Sequence, residues 1–184
     1  MEQKINKEKS IFLSRFYPTY MFDKVEDIPY ELVKKEDIKL VMMDMDNTLI
    51  DAKKKYKNSL KHWIEEVSNL NVKMCILSNS PFGDKVKKIA KELNVEYEYN
   101  AGKPLLKGFK KVIEKSKFPK ENILMIGDQI FTDVWGANRA GILTYLVKQI
   151  DSKEEIQIVL KRKIEAVVLL FYKLHVKRHG DGRD

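Results

Sequence analysis

The residues best suited to chemistry in this sequence lie in four short polar clusters. Three of the clusters directly follow an apolar run and one opens a helical segment: DMDNT (44–48), SNS (78–80), GKP (102–104) and GDQIFTD (127–133). Carboxylates, a lysine and hydroxyl groups are the side chains that hold hard metal ions and phosphate. We expect one site if the fold brings these clusters to the same edge.

Two aspartates, Asp44 and Asp46, set the charge of this expected site. Residues two apart in an extended segment point the same way, and two carboxylates about 4 Å apart repel by about 4 kcal/mol at an effective dielectric near 20. Adding Asp128 and Asp133 makes a cation or a bound proton necessary. Because the candidate ligands are oxygens without nearby Cys or His, the pattern favours a hard ion, with Mg²⁺ as the natural candidate.

The alternative is that these aspartates form turns and helix caps. Asp and Asn commonly cap helices, and Asp133 precedes a helical segment. The joint pattern at three strand ends favours the metal site over this alternative.

Apolar runs that predict strands alternate with helical patterns from residue 38 onward. The runs are 38–45, 72–77, 95–99, 123–126 and 143–147. Apolar residues recur at helical spacing between them: Leu60, Trp63, Ile64, Val67 and Leu70; Val86, Ile89, Ala90 and Leu93; Phe109, Val112 and Ile113. The alternation predicts an α/β fold with a parallel sheet and helices on both faces. The ligand site of such a sheet lies outside the carboxyl ends of its strands.

Composition narrows the class of protein and its compartment. The chain has 184 residues, 43% hydrophobic and 34% charged, which fits one compact domain with a short appendage. Its net charge of +8 favours anionic partners, and phosphorylated substrates, anionic lipid and nucleic acid all stay open. The single cysteine, Cys75, excludes an internal disulfide and indicates a reducing, cytoplasmic compartment. No signal peptide or membrane-spanning run is visible, so we expect a soluble or peripheral protein.

The four clusters together resemble the four motifs of the haloacid dehalogenase-like phosphatase superfamily, over about residues 38–147. Within that superfamily the chain is most similar to the bacterial YqeG-type subgroup of class IIIA. That likeness includes the aromatic lead-in FYPTYMFDKVEDI (16–28) and the long GDQIFTDVWGANRAG (127–141). The resemblance implies a Rossmannoid three-layer fold and a phosphatase.

The resemblance implies three catalytic residues. Asp44 is expected to be the nucleophile that takes the phosphoryl group, and Lys103 to neutralise charge on the nucleophile and the phosphate. Asp46 is expected to protonate the leaving oxygen and then activate water, which requires a pKa raised by its anionic neighbours. A merely solvated lysine is the alternative for Lys103.

The resemblance also implies which residues hold metal and phosphate. It places Mg²⁺ on carboxylates and one backbone carbonyl, with Asp133 acting through the water shell or supporting Lys103: Asp44, Asp46 (carbonyl), Asp128 and Asp133. It places the phosphoryl oxygens on Ser78, Asn79 and Lys103. A turn-forming role is the alternative for Ser78.

The spacing of the clusters leaves no room for a cap domain. Asp44 and Ser78 are 78 − 44 = 34 residues apart, and Ser78 and Lys103 are 103 − 78 = 25 apart. The resulting organisation is an N-terminal arm and lead-in (1–37), a phosphatase core (38–150) and a basic C-terminal segment (151–184). An open edge suits a phosphate on something large, although a small substrate enclosed by an oligomer partner stays open.

The C-terminal segment is expected to form a basic amphipathic helix with a tail. Its apolar residues follow helical spacing: Ile156, Val159, Leu160, Ile164, Val167, Val168 and Phe171. Such a helix packs on the sheet, on a second subunit in a homo-oligomer, or on anionic lipid at the inner face of a membrane. Nucleic acid is not an expected partner, because no recognition motif is present.

The subgroup resembles mitochondrial phosphatases that convert phosphatidylglycerophosphate to phosphatidylglycerol, which favours an anionic phospholipid substrate. A soluble phosphatase of a sugar or nucleotide phosphate is the main rival. A receiver domain fits less well, since its paired acidic residues lie near the chain start. A non-catalytic interaction protein with this fold is the remaining alternative.

Overall fold

A computed structural model describes residues 13–151, and the first residues and the C-terminal segment lie outside that range. The strands are β1 Tyr20–Phe22, β2 Leu40–Met43, β3 Lys73–Leu77, β4 Glu96–Glu98, β5 Ile123–Gly127 and β6 Leu143–Val147. The helices are α1 Tyr30–Lys35, α2 Asn58–Asn69, α3 Gly83–Leu93, α4 Leu106–Ser116 and α5 Trp135–Ala140. Short 3-10 turns occur at Leu13–Phe16, Val25–Asp27 and Lys120–Asn122, and a π-helical turn spans Ile130–Val134.

The six strands form one parallel sheet in the order β1-β6-β5-β2-β3-β4. All residues of β2 and β5 are buried, because helices cover both faces. Alternate residues of each strand enter different core clusters, with Val41 and Met43 on one face and Leu40 and Met42 on the other. Helices α1, α2 and α3 pack in the first cluster, and α4 and α5 in the second. The predicted three-layer α/β fold is therefore confirmed.

The helices bury the faces that their spacing predicts, with one exception. In α2 the indole of Trp63 is buried and donates a hydrogen bond from Nε1 to the Ile28 carbonyl at 2.8 Å. Leu70, expected on the same face, lies just past the end of α2 and is 40% exposed. The helix stops one residue too early to bring this side chain into the core.

The lead-in segment contributes a strand that the sequence does not reveal. Tyr20 pairs with Tyr145 in the parallel register of β1 and β6, and their rings meet edge to face with centroids 5.2 Å apart. Residues 20–22 and α1 thus belong to the same folded unit as the core, which extends beyond the boundary expected at residue 37. Three residues are too few for a period-2 pattern to stand out.

The two intervals in which a cap domain is not expected contain the following elements. A turn-rich loop, α2 and β3 fill the chain between Asp44 and Ser78, and α3 and β4 fill it between Ser78 and Lys103. No helix within residues 13–151 has both the length and the apolar character needed to cross a membrane. The predicted amphipathic helix at 151–184 lies outside the described residues.

Candidate functional site

Three aspartates meet at the carboxyl edge of the sheet, the edge formed by the loops that follow the strands. Asp44 follows β2, Asp128 follows β5, and Asp133 lies on the π-helical turn. The two strands are parallel neighbours, and the Asp44 N–H donates to the Ile126 carbonyl at 2.9 Å, so their ends coincide. The three side chains are buried and offer carboxylate oxygens within 4.8 Å of one another. We call this group the acidic triad.

Lys103 supplies a positive charge that pairs with the acidic triad. Its Nζ donates to Asp44 Oδ1 and to Asp133 Oδ1, each at 2.6 Å, and the residue is only 5% exposed. Burial by itself lowers the Lys103 pKa, but the charges of Asp133 and Asp44 outweigh it and raise the pKa to about 12. Lys103 is therefore a buried member of the site and not a solvated surface lysine.

Asn79 holds the backbone of Lys103 in place. Its Oδ1 accepts from the Lys103 N–H at 2.7 Å, and its Nδ2 donates to the Lys103 carbonyl at 2.9 Å. The resemblance implies that Asn79 binds phosphate. Here its side-chain oxygen and nitrogen both form hydrogen bonds with the backbone of Lys103. Since the two residues come from different loops, no local spacing signals this contact.

Ser78 precedes Asn79 in the chain, and its buried side chain stabilises a turn. Its Oγ accepts a hydrogen bond from the Ser80 N–H at 3.1 Å, which matches the turn-forming alternative. A hydroxyl that accepts still carries its own proton. Ser78 can therefore turn the chain and donate to a phosphoryl oxygen.

The Asp128 carboxylate accepts hydrogen bonds from two polar side chains that are not among the predicted site residues. Thr48 Oγ1 donates to Oδ1 and Gln149 Nε2 to Oδ2, both at 2.9 Å. Burial, followed by the charges of Asp44 and Asp133, raises the Asp128 pKa to about 7. Thr48 is part of a recognised cluster, but nothing in the sequence around Gln149 marks it as a site residue.

Asp133 depends on a glycine for its position. A Cβ on Gly127 would come within 2.4 Å of Asp133 Oδ2, so any other residue at 127 would displace the carboxylate. The same Oδ2 accepts from the Gln129 N–H at 3.1 Å. Burial raises the Asp133 pKa to about 6, although Lys103 opposes that rise. Asp133 therefore supports Lys103, one of the two roles expected for it.

Asp46 does not join the acidic triad. The strand ends at Met43, and the chain turns through Asn47, whose φ is 64°. The Asp46 side chain is 40% exposed, and its Oδ1 accepts from Lys85 Nζ at 2.7 Å and Lys54 Nζ at 3.0 Å. The Asp44–Asp46 pair therefore lies between the end of β2 and the turn at Asn47, and not within the strand as assumed.

The expectation that anionic neighbours raise the Asp46 pKa is wrong. Partial burial does act to raise it, but hydrogen bonds and charges from Lys85 and Lys54 prevail and lower the pKa. The sequence does not mark either lysine as a neighbour of Asp46, because Lys54 lies eight residues along the same loop and Lys85 lies in α3. Asp46 is ionised in this structure.

A cavity of about 270 Å³ opens beside the partners of Asp128. Thr48 and Gln149 line it together with lysines of three loops, among them Lys24, Lys57 and Lys148. The lining contains four lysines and three acidic side chains, so the charge of this cavity is close to balanced.

The chain is similar in sequence to known proteins. The sequence model of the haloacid dehalogenase-like hydrolase family matches residues 53–141. A protein of Bacillus subtilis (strain 168) named "Probable phosphatase YqeG" is 31% identical over 155 residues, which cover 84% of this chain and 90% of that protein.

Two solved structures are among those that match this chain. An uncharacterised protein from Listeria monocytogenes serotype 4b has a TM-score of 0.51 and 22% identity, covering 63% of this chain and 84% of its own, and it supports the fold. A 3-deoxy-D-manno-octulosonate 8-phosphate phosphatase from Moraxella catarrhalis, in complex with magnesium ion, phosphate ion and KDO, is less similar. Its TM-score is 0.44 and its identity 16%, over 78% and 99% of the two chains.

Proposed function

This chain belongs to the haloacid dehalogenase-like hydrolases and is a phosphatase, and from that premise we propose that it hydrolyses phosphomonoesters through a phosphoryl group carried on Asp44. One observation carries the proposal. A buried lysine fixes the Asp44 carboxylate at 2.6 Å, beside two further carboxylates at the open edge of the sheet. Phosphoryl transfer needs this combination of a positioned nucleophile and fixed positive charge.

The reaction has two steps on this chain's own residues. In the first, a carboxylate oxygen of Asp44 forms a bond to phosphorus, and the bond from phosphorus to the alcohol oxygen breaks. Asp46 gives the departing oxygen a proton, which its carboxylate first takes from solvent when Lys54 and Lys85 release it. In the second step Asp46 takes a proton from water, which attacks the phosphorus, frees inorganic phosphate and restores Asp44.

The acidic triad fits Mg²⁺. Three carboxylates and one ammonium leave two negative charges in a buried space, and burial together with the neighbouring carboxylates raises the pKa values of Asp128 and Asp133. Oxygen donors of this kind are those Mg²⁺ prefers. Asp44 and Asp128 would hold the ion directly, with Asp133 behind them. When bound, the ion neutralises phosphoryl oxygens and positions them for in-line attack.

Mg²⁺ is expected to raise the melting temperature by about 5 to 10 °C at pH 8 and much less at pH 5. The Asp128 pKa is about 7 in the folded, metal-free protein, against an ordinary value of 3.8 for an aspartate, so folding there favours the protonated form. That stability is fully present below about pH 4 and is lost as the pH rises through 7. Melting curves with Mg²⁺ or with EDTA at pH 5, 6, 7 and 8 measure the effect.

Asp128→Asn is the control for this pH dependence. It removes one buried negative charge at constant size, so it should raise the melting temperature in EDTA at pH 8. It should also remove most of the response to Mg²⁺. A Mg²⁺ shift that is the same at pH 5 and pH 8, or that persists in Asp128→Asn, contradicts the assignment.

The proposed substrate is an anionic phospholipid, phosphatidylglycerophosphate, approached at a membrane surface. The carboxyl edge is not enclosed by a cap, and several of the exposed large apolar side chains of residues 13–151 lie there: Phe82 at 71%, Leu105 at 65%, Tyr99 at 45% and Ile150 at 40%. Apolar side chains beside lysines at an open site suit an anionic bilayer.

Purified protein should hydrolyse phosphatidylglycerophosphate in vesicles faster than sugar or nucleotide phosphates under the same conditions. The measurement is phosphate release from each substrate at matched concentration, together with flotation on anionic liposomes. A clear preference for a soluble sugar phosphate, without flotation, would replace the lipid with the soluble alternative.

Phe82→Ser and Leu105→Ser together are expected to lower activity on vesicles by about 10-fold, because each side chain contributes apolar area to the membrane contact. Activity on p-nitrophenyl phosphate should change little. The matched control is Leu70→Ser, which is 40% exposed at the far end of α2, on the opposite edge of the sheet. An equal loss of activity on vesicles in Leu70→Ser would show that the loss does not come from contact with the membrane.

A further inference from the structure

Two lysines converge on one oxygen next to the proposed nucleophile. Lys54 lies in the loop after β2 and Lys85 in the first turn of α3, yet both Nζ atoms bond Asp46 Oδ1, at 3.0 and 2.7 Å. Their side chains are 50% and 27% exposed, so solvent and ligands reach them. We call Lys54 and Lys85 the lysine pair.

The lysine pair carries more positive charge than Asp46 can neutralise. Two ammonium groups share the Asp46 carboxylate, each within 3.0 Å of the same atom, and Asp51 is a further negative charge that acts on Lys54. Their mutual repulsion is relieved when an anion shares them.

The position of this excess positive charge defines where a bound anion would lie. Asp46 must reach the oxygen that leaves with the alcohol, so the lysine pair lies on the alcohol side of the phosphate. Charge-assisted hydrogen bonds of about 2.8 Å place a bound anion within roughly 8 to 10 Å of that oxygen. A spacer of a few atoms covers this distance.

We propose that the lysine pair binds a second anionic group, of the phosphate type, carried by the alcohol part of the substrate. The proposal rests on the phosphatase function proposed above and narrows its substrate class. Substrates with a phosphodiester or a second phosphate a short spacer from the scissile phosphate are preferred over simple phosphomonoesters. The group can belong to a lipid headgroup or to a soluble compound, since the recognised chemistry is the same.

Three substrates separate these possibilities. Glycerol 1-phosphate has no second anion, glycerophosphoglycerol phosphate carries a soluble phosphodiester, and phosphatidylglycerophosphate in vesicles carries the same headgroup on a lipid. The wild-type protein should show a kcat/KM at least about 10-fold higher for the soluble phosphodiester than for glycerol 1-phosphate. A further gain only on vesicles identifies the lipid as the source of the group.

Lys54→Gln and Lys85→Gln test the residues. Each should lower the ratio of kcat/KM between the phosphodiester and glycerol 1-phosphate by about 10-fold, mainly through KM, and Lys85→Arg should restore most of it. Because both substrates depend on Asp46, any effect of either lysine on Asp46 changes both kcat/KM values alike and leaves their ratio unchanged. Lys115→Gln is the charge-matched control, because its exposed ion pair with Glu96 lies at the far end of α4 and should leave the ratio unchanged.

Equal losses on both substrates, or a wild-type ratio near one, would overturn the second-anion site. Failure of the phosphatase proposal looks different, because no phosphomonoester would then be turned over. In that event calorimetric binding of glycerophosphoglycerol phosphate to Asp44→Asn, with and without Lys54→Gln and Lys85→Gln, decides the question. Binding weakened about 10-fold by each lysine change supports the site, and unchanged binding rejects it.

Discussion

Asp44→Asn should lower phosphate release from p-nitrophenyl phosphate by at least about 10³-fold at pH 7 in Mg²⁺, because an amide cannot attack phosphorus as a carboxylate does. The change keeps the size of a buried side chain and removes one charge from the acidic triad. The fold should therefore persist, and the melting temperature in EDTA should not fall. Acid-quenched protein from a radiolabelled phosphate ester should carry label in the wild type and none in the variant.

Asp37→Asn is the matched control for this substitution. Asp37 precedes β2 at the opposite edge of the sheet, its side chain is 68% exposed, and its φ of 50° is one that Asn tolerates. Activity and labelling should stay at the wild-type level. If Asp44→Asn were as active as this control, the nucleophile would have to be another residue.

Lys103→Met should lower activity by about 10²- to 10³-fold and also destabilise the metal-free protein by about 3 to 5 kcal/mol at pH 8. Methionine fills the space of the lysine but leaves three buried carboxylates with no ammonium group among them. The Lys103 pKa of about 12 keeps the wild-type lysine charged throughout pH 5 to 8. The pH dependence of the loss therefore comes from the carboxyls.

Those carboxyls are more easily protonated at low pH, so the stability deficit of Lys103→Met should shrink at pH 5. Urea unfolding in EDTA at pH 5 and pH 8 measures it. Lys111→Met removes an exposed ion pair with Glu98 and should cost at most about 1 kcal/mol at either pH. A deficit no larger than this control's would show that Lys103 is not the counter-ion of the triad.

The parts of the site that follow from sequence are those placed by strand ends. Asp44 and Asp128 each follow a fully buried strand, and the two strands are parallel neighbours, so backbone pairing alone brings their carboxylates together. The alternation of apolar runs and helical faces predicts the three layers for the same reason. Both signals are periodic or local, which is why a sequence displays them.

Contacts made by side chains across loops could not be anticipated. Asn79 reaches the backbone of Lys103, and Gln149 reaches Asp128, through distances in space that no sequence spacing encodes. Asp46 lies past the end of β2, just before the turn at Asn47, and its carboxylate bonds Lys85 and not the triad. The type and position of Asp46 suggest a general acid. The charges around its carboxyl depend on where the ammonium groups of two flexible lysine side chains lie.

The strand order also has a consequence for how the protein is made. Strand β2 pairs on one side with β3, but its other partner, β5, lies 126 − 43 = 83 residues later in the Met43–Ile126 pairing. A ribosome adding about 5 to 20 residues per second needs roughly 4 to 17 seconds to supply it. During that time the nascent chain holds Asp44 and Lys103 without Asp128 and with one edge of β2 unpaired. Until β5 arrives that edge can pair with other chains, and a transcript cut before codon 123 would leave it permanently open to aggregation.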